Sequence, residues 1–243
     1  HPYHHIGMPG TVIMPQEIVT ETLIYTMLGL WDDGYRKIIF INNHGHLWMI
    51  EAAIQEFCKR YQLPGIFRVI DWHRAVREFF YPTDTLKNSL ETHFVHADEA
   101  ETAVALLMFK DMVNMDYVQD KLGESLLPDG HMDKSVDPYR RPCRWSEGEG
   151  HAAIERSATP EGIVGVPSQA TAQKAKRPIV AILKYLTLLH DQILEAFPAG
   201  TVPPVEKVSL RSAEELAPFL KEPLSDGWKS VVELPRVGYF EKL

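Results

Sequence analysis

The chain has 243 residues and a mass of 27.7 kDa, which fits one large domain or one domain with an appendage. Lys and Arg number 25 against 33 Asp and Glu, giving a formal net charge of -8, and hydrophobic residues make up 45%. The acidic balance argues against nucleic acid as a main partner, and the apolar content excludes wholesale disorder.

In chain order, residues 17–31 carry apolar side chains at near-helical spacing, and Asp32-Asp33-Gly34 stops that helix, with Gly34 as the C-cap glycine. Residues 36–41, RKIIFI, form a short β-branched and aromatic run that fits a strand buried on both faces. A polar turn, Asn42 to His46, leads into a helix over 47–60, and 65–70, GIFRVI, is a second strand. Strand, helix and strand with short connections predict a parallel α/β core. A short helix is expected over 73–80, stopped before Pro82, and a longer one over 98–109. There Asp98 can cap the N-terminus, with Glu101 three residues on. Residues 122–167 are rich in Gly, Pro and charge and read as a long loop, functional or part of an assembly contact. Residues 169–196 predict one long helix, or two broken near Pro178. Residues 1–197 are taken as the main domain and 198–243 as an appendage packed on it or on a neighbouring subunit.

Two cysteines, Cys58 and Cys143, do not make a disulfide scaffold and suit a reducing, cytoplasmic compartment. No apolar run reaches the roughly 18 residues that a membrane-spanning helix needs. The sequence opens His1-Pro2-Tyr3-His4-His5 without a Met, so it is expected to begin part-way into a longer protein.

Two clusters could carry chemistry. Asn42-Asn43-His44-Gly45-His46 follows the first strand directly, where parallel α/β proteins bind ligands. Its two imidazoles, at i and i+2, could share a metal, or could simply cap the next helix. His93, His96, Asp98, Glu99 and Glu101 offer two imidazoles and three carboxylates within nine residues, the N and O donors that borderline and hard divalent ions take. Acidic residues are also favoured in a first helical turn for purely local reasons. Trp72, after the second strand, could wall a pocket or belong to the core. Arg140, Arg141 and Arg144 with Trp145 could close over a substrate or form a solvated loop. No nucleophile elbow and no phosphate-cradling glycine motif is present, so nucleotide binding is poorly supported.

Four segments in order resemble the creatininase (creatinine amidohydrolase) family: MPGT at 8–11, FINNHGH at 40–46, HADEAETA at 96–103 and GIVGVPSQATAQKAKR at 162–177. The resemblance covers roughly residues 4–197. It implies a three-layer α/β/α sandwich with a mainly parallel central sheet. It implies that His44 and Glu101 are metal ligands, that His46 stands where creatinine-hydrolysing members carry a glutamate ligand, and that His96 is the catalytic histidine. Trp72 matches an aromatic residue that borders substrate, and Arg144 and Trp145 are added here as candidate pocket residues. Further ligands, a Glu-x-His pair and an Asp, belong near the family's N-terminus, in residues expected to lie upstream of His1. Asn43 and His46 depart from the family's usual turn, so the substrate pocket is expected to differ from that of a creatinine hydrolase.

The implied activity is hydrolysis with two divalent ions, Zn or Mn, that bind and acidify a water. Hydroxide would attack a carbonyl of a small polar cyclic substrate, and His96 would pass a proton to the leaving atom. In a cyclic amide that atom is nitrogen, the reading placed first because it is the commoner family chemistry. In a cyclic polyol ketone of the dehydro-inosose type it is carbon, leaving as an enolate. A catalytically inactive binding or assembly protein on the same fold is the competing class. The resemblance also implies a homo-oligomer, often a hexamer in the family, with no membrane partner.

Overall fold

In the computed structural model, the described residues are 9–44, 47–80, 90–92, 94, 96–122, 124–125, 155–156, 159–205 and 210–235. They fall into two compact units. One comprises 14–42, 47–70 and the described residues from 190 onward; the other comprises 9–13, Asn43, His44 and the described residues of 71–189.

The first unit starts with α1 (Gln16–Asp32), whose buried Ile24, Met27, Leu28 and Trp31 recur at i, i+3, i+4 and i+7. That spacing lays one apolar stripe along a 3.6-residue period. The helix stops where the Asp33 N–H returns to Gly29 O at 2.9 Å, and Gly34 then takes a φ of 101°, which a side chain would resist. Strand β1 (Lys37–Asn42) follows, then α2 (Leu47–Tyr61) and β2 (Ile66–Asp71). β1 and β2 pair as a parallel two-stranded sheet, the expected strand–helix–strand unit. α2 buries Met49, Ala53, Phe57 and Tyr61, one residue every four.

The core between these elements is apolar. Phe57 is fully buried, with ring centroids 4.8 Å from Phe67 and 5.4 Å from Tyr61. Trp31, also fully buried, donates its indole N–H to Pro64 O at 2.8 Å, and the Arg36 guanidinium lies 3.7 Å over its ring. The C-terminal residues join this core. Leu216 of α5 (Ala213–Leu216), Phe219, Val231 and Leu234 belong to the same buried cluster. The Asp32 carboxylate accepts from Ser230 Oγ at 2.8 Å and from the Val231 N–H at 2.7 Å, fixing the last described turn to the end of α1.

The second unit contains a 3-10 turn (Arg74–Phe79), α3 (Glu99–Met108), the short antiparallel pair β3 (Glu124–Ser125) and β4 (Glu155–Arg156), and α4 (Ala172–Ala196), whose last turns pass into the other unit. The stretch expected as a short helix over 73–80 is thus a 3-10 turn. Most of the 122–167 loop lies outside the described residues. α4 is one continuous helix through Pro178, which is buried and gives up only the bond to the Lys174 carbonyl. Its core holds Val76, Phe80, Leu90, Phe94, Ala100, Ala103, Ala175 and Ile182. Phe80 and Phe94 stack at 5.6 Å. No helix among the described residues is long and apolar enough to cross a membrane.

Candidate active site

His44 stands two residues beyond β1, and Asp71 is the last residue of β2. Both therefore occupy the carboxyl ends of parallel strands, where side chains of an α/β protein meet ligands. The His44 and His96 rings lie edge to face with centroids 6.4 Å apart. His96 Nδ1 is 3.9 Å from Glu101 Oε2, an electrostatic contact too long for a hydrogen bond. Three of the candidate residues, His44, His96 and Glu101, are therefore brought together from two distant stretches of sequence.

The backbone around His96 is tightly specified. Its N–H donates to Val164 O at 3.2 Å and its C=O accepts from the Val164 N–H at 2.9 Å. Ala97 takes a φ of 46°, which turns the chain into α3. Asp98, fully buried, caps α3 by accepting the Glu101 N–H at 3.0 Å. Glu101 does not return the bond to Asp98 as a capping box would. Its Oε2 accepts from the Ala97 N–H at 2.5 Å instead, one residue earlier. Gly165 lies against this turn, and a Cβ there would meet Asp98 Cβ at 2.4 Å. This close approach is a physical reason for glycine at 165.

Electrostatics favours a neutral imidazole at His44. Although the residue keeps an exposed face, loss of solvation by surrounding groups is the main effect holding its pKa below 6.5; repulsion from His96 adds to it, while Glu101 and Asp71 pull the other way. A neutral ring is the form that ligates metal. His44 and Glu101 thus supply an N and an O donor suited to a divalent ion. Among the described residues no group of three or more His, Cys, Asp or Glu forms a complete metal-binding set. His46, Arg144, Trp145 and His93, all singled out in the sequence, lie outside the described residues.

Trp72 packs its ring on Phe80 at 5.1 Å and on His73 at 6.1 Å, and is partly buried against the second unit's core. Its indole Nε1 is buried, with no hydrogen-bond acceptor among the described residues. Two residues escaped the motif reading, Asp71 and Lys174. Asp71 and His73 are both buried, and His73 Nδ1 lies 2.8 Å from Asp71 Oδ1. The His73 ring stands edge-on to Phe94 at 4.8 Å. The strand-end rule that selects 42–46 also selects Asp71, so its signal was present in the sequence. The other is Lys174, whose partner Glu99 is the most deeply buried carboxylate of its helix, 1% exposed.

Parallel β1–α2–β2, histidines at a strand end and on the approach to a helix, and a first-turn glutamate are the features that the resemblance to the creatininase family led one to expect. The sequence matches the family described as Creatininase: Creatinine amidohydrolase over residues 1–189, and the chain belongs to that family. It is 41% identical, over 231 residues, to the 3-dehydro-scyllo-inosose hydrolase of Thermotoga maritima, covering 95% of this chain and 74% of that protein. Among solved structures it resembles a Bacteroides fragilis NCTC 9343 protein described as a candidate creatinine amidohydrolase, at 18% identity and a TM-score of 0.56, covering 79% of this chain and 68% of the other. A mutant creatininase of Zn-Zn type matches at 21% identity and a TM-score of 0.50, covering 79% and 68%. These structures establish a shared α/β fold. The protein is a hydrolase of the creatininase family.

Proposed function

We propose that this hydrolase opens a six-membered polyol ketone ring by cleaving a carbon–carbon bond. The observation that carries the reading is the 41% identity, over 95% of the chain, to a hydrolase named for an inosose. An inosose is a polyhydroxycyclohexanone. Its ring contains no nitrogen, so hydrolytic opening must cut between carbons. This is the second of the two chemistries expected from the sequence, and the relative moves it ahead of cyclic amide hydrolysis.

The chain's own groups suit that reaction. Water adds its oxygen to one ring carbonyl and loses a proton. Where a second ketone stands one carbon away, the bond from the attacked carbon to the intervening carbon breaks. Its electron pair passes into the enolate of the second ketone, and the attacked carbon leaves as a carboxylate on the same open chain. His96 delivers the proton that converts the enolate to the product ketone. Its fixed backbone, paired with Val164, places the imidazole without a reorganisation cost at each turnover. His44 and Glu101, with His46 two residues after His44 in sequence, would hold the divalent ions, Zn or Mn. When bound, such ions lower the pKa of water and polarise a carbonyl.

The test is to incubate the protein, purified without chelator, with a polyhydroxylated cyclohexane-1,3-dione and with a panel of cyclic amides, and to follow both by NMR. An open-chain keto acid from the dione supports the proposal. Turnover of the amides alone would replace it with amidohydrolase activity.

A further inference from the structure

Glu99 is the least exposed carboxylate of the HADEAETA segment apart from Asp98, and its neighbours explain why it is there. Its Oε2 accepts from the Glu91 N–H at 3.0 Å, the Thr92 N–H at 2.7 Å and Thr92 Oγ1 at 2.8 Å. Its Oε1 accepts from Lys174 Nζ at 2.5 Å, and that ammonium also reaches Glu91 Oε2 at 3.1 Å. The carboxylate at the start of α3 therefore closes the 92–99 segment back on itself, with His96 near the middle of the closed loop. Lys174 brings the balancing charge from α4. Hydrogen bonds to an ionised group are the strong kind, and a buried charge is tolerated only when so paired. The opposite side of the same loop is held by the Val164 backbone pair and by Gly165 against Asp98.

We infer that Glu99, held by Lys174, is a positioning residue for His96: by tying residues 91–92 to α3 it closes the loop that aims the imidazole. The inference rests on His96 being the proton donor of the proposed reaction. Glu99 acts through the 91–92 segment and Lys174, to which its bonds run. The device is assembled from three separate stretches of sequence, so a change in α4 is felt at the catalytic loop.

The test compares wild type with Glu99→Gln and, in case that variant fails to fold, with Lys174→Met and Thr92→Val, which leave the buried carboxylate in place. Three readouts are needed: amide hydrogen exchange at Glu91 and Thr92, ring mobility of 13C-labelled His96 by NMR relaxation, and kcat separately from KM. In Glu99→Gln we expect exchange at both amides to rise about tenfold or more, His96 to become more mobile, and kcat to fall about 10- to 100-fold with KM nearly unchanged. Metal content stays at the wild-type level. Lys174→Arg, which keeps the charge, restores most of kcat to a chain that Lys174→Met has slowed. Faster exchange with an unchanged His96 ring would overturn the positioning role, and unchanged exchange would overturn the clamp itself. A wild-type protein that leaves the dione intact would defeat the proposed reaction, and the exchange and relaxation data would still decide for or against the clamp.

Discussion

The two units have different interiors. Around Trp31, Phe57 and Phe67 the buried cluster is apolar and the indole N–H of Trp31 has a backbone acceptor, the unit's buried polar residues being Asn42 and Arg211 among those described. Around α3 the interior also takes in Asp71, His73, Asp98 and Glu99. An apolar core is forgiving, because its energy depends on area and fit. Buried carboxylates need particular donors at particular distances, and their loss leaves a partner stranded. The second unit carries the costlier construction, and it surrounds His96. The lesson is that polar burial here marks where geometry, rather than stability alone, is being specified.

The comparison can be tested by substitutions that separate folding from turnover. His96→Ala should lower kcat about 10²- to 10⁴-fold while metal content and the unfolding midpoint hold; elemental analysis beside kinetics checks this. Glu101→Gln should lose metal and activity together, and a His96→Ala protein stripped of metal to the same degree would refute that division of roles. In the apolar unit, Phe57→Ala should destabilise by about 3–5 kcal/mol in urea unfolding, with kcat per folded molecule preserved. Gly165→Ala should cost less stability, about 1–3 kcal/mol by forced overlap with Asp98, yet reduce kcat more than Phe57→Ala does. If the two variants ranked the other way in kcat, the distinction between the units would fail. At the small end, Arg60 makes a two-pronged bond to Glu21, at 3.0 and 2.6 Å, and also bonds Glu56. Glu21→Gln should cost about 0.2–1 kcal/mol, diminishing with added salt.

Acid supplies one further handle on the polar interior. Burial alone would raise the pKa of Glu99, but the bonds from Lys174, Thr92 and the backbone outweigh it and hold the group below 4.5. A carboxyl lowered on folding contributes stability that is complete above its unfolded pKa and lost as pH falls through the folded one. Stability measured down the acid limb should therefore fall less steeply in Glu99→Gln than in wild type.

Much of the scaffold was legible because local patterns and tertiary demands agree. The four-residue spacing of Met49, Ala53, Phe57 and Tyr61 gives α2, and KIIFIN gives β1 within one residue of its expected bounds. The candidates His44, His96 and Glu101 were singled out by donor chemistry, strand-end position and family resemblance, and the structure brings their side chains near one another. The single course of α4 past Pro178 was left open, because a helix survives one missing N–H when packing holds it. The Glu101 bond to Ala97, rather than to Asp98, depends on the positive φ of Ala97, which no side-chain pattern announces.

By itself, then, the sequence determined the main helices, the parallel strand–helix–strand unit, the family and the chemical kind of the candidate site residues, since each follows from periodicity, turn chemistry or motif within a few tens of residues. Only the tertiary structure decided that Lys174 neutralises Glu99, 75 positions away, that Val164 pairs with His96, and that Gly165 must leave room for Asp98. Those are contacts between stretches distant in the chain. Hydrogen-bond reach and steric overlap are set by distances of a few ångströms in space, and separation along the chain does not fix them.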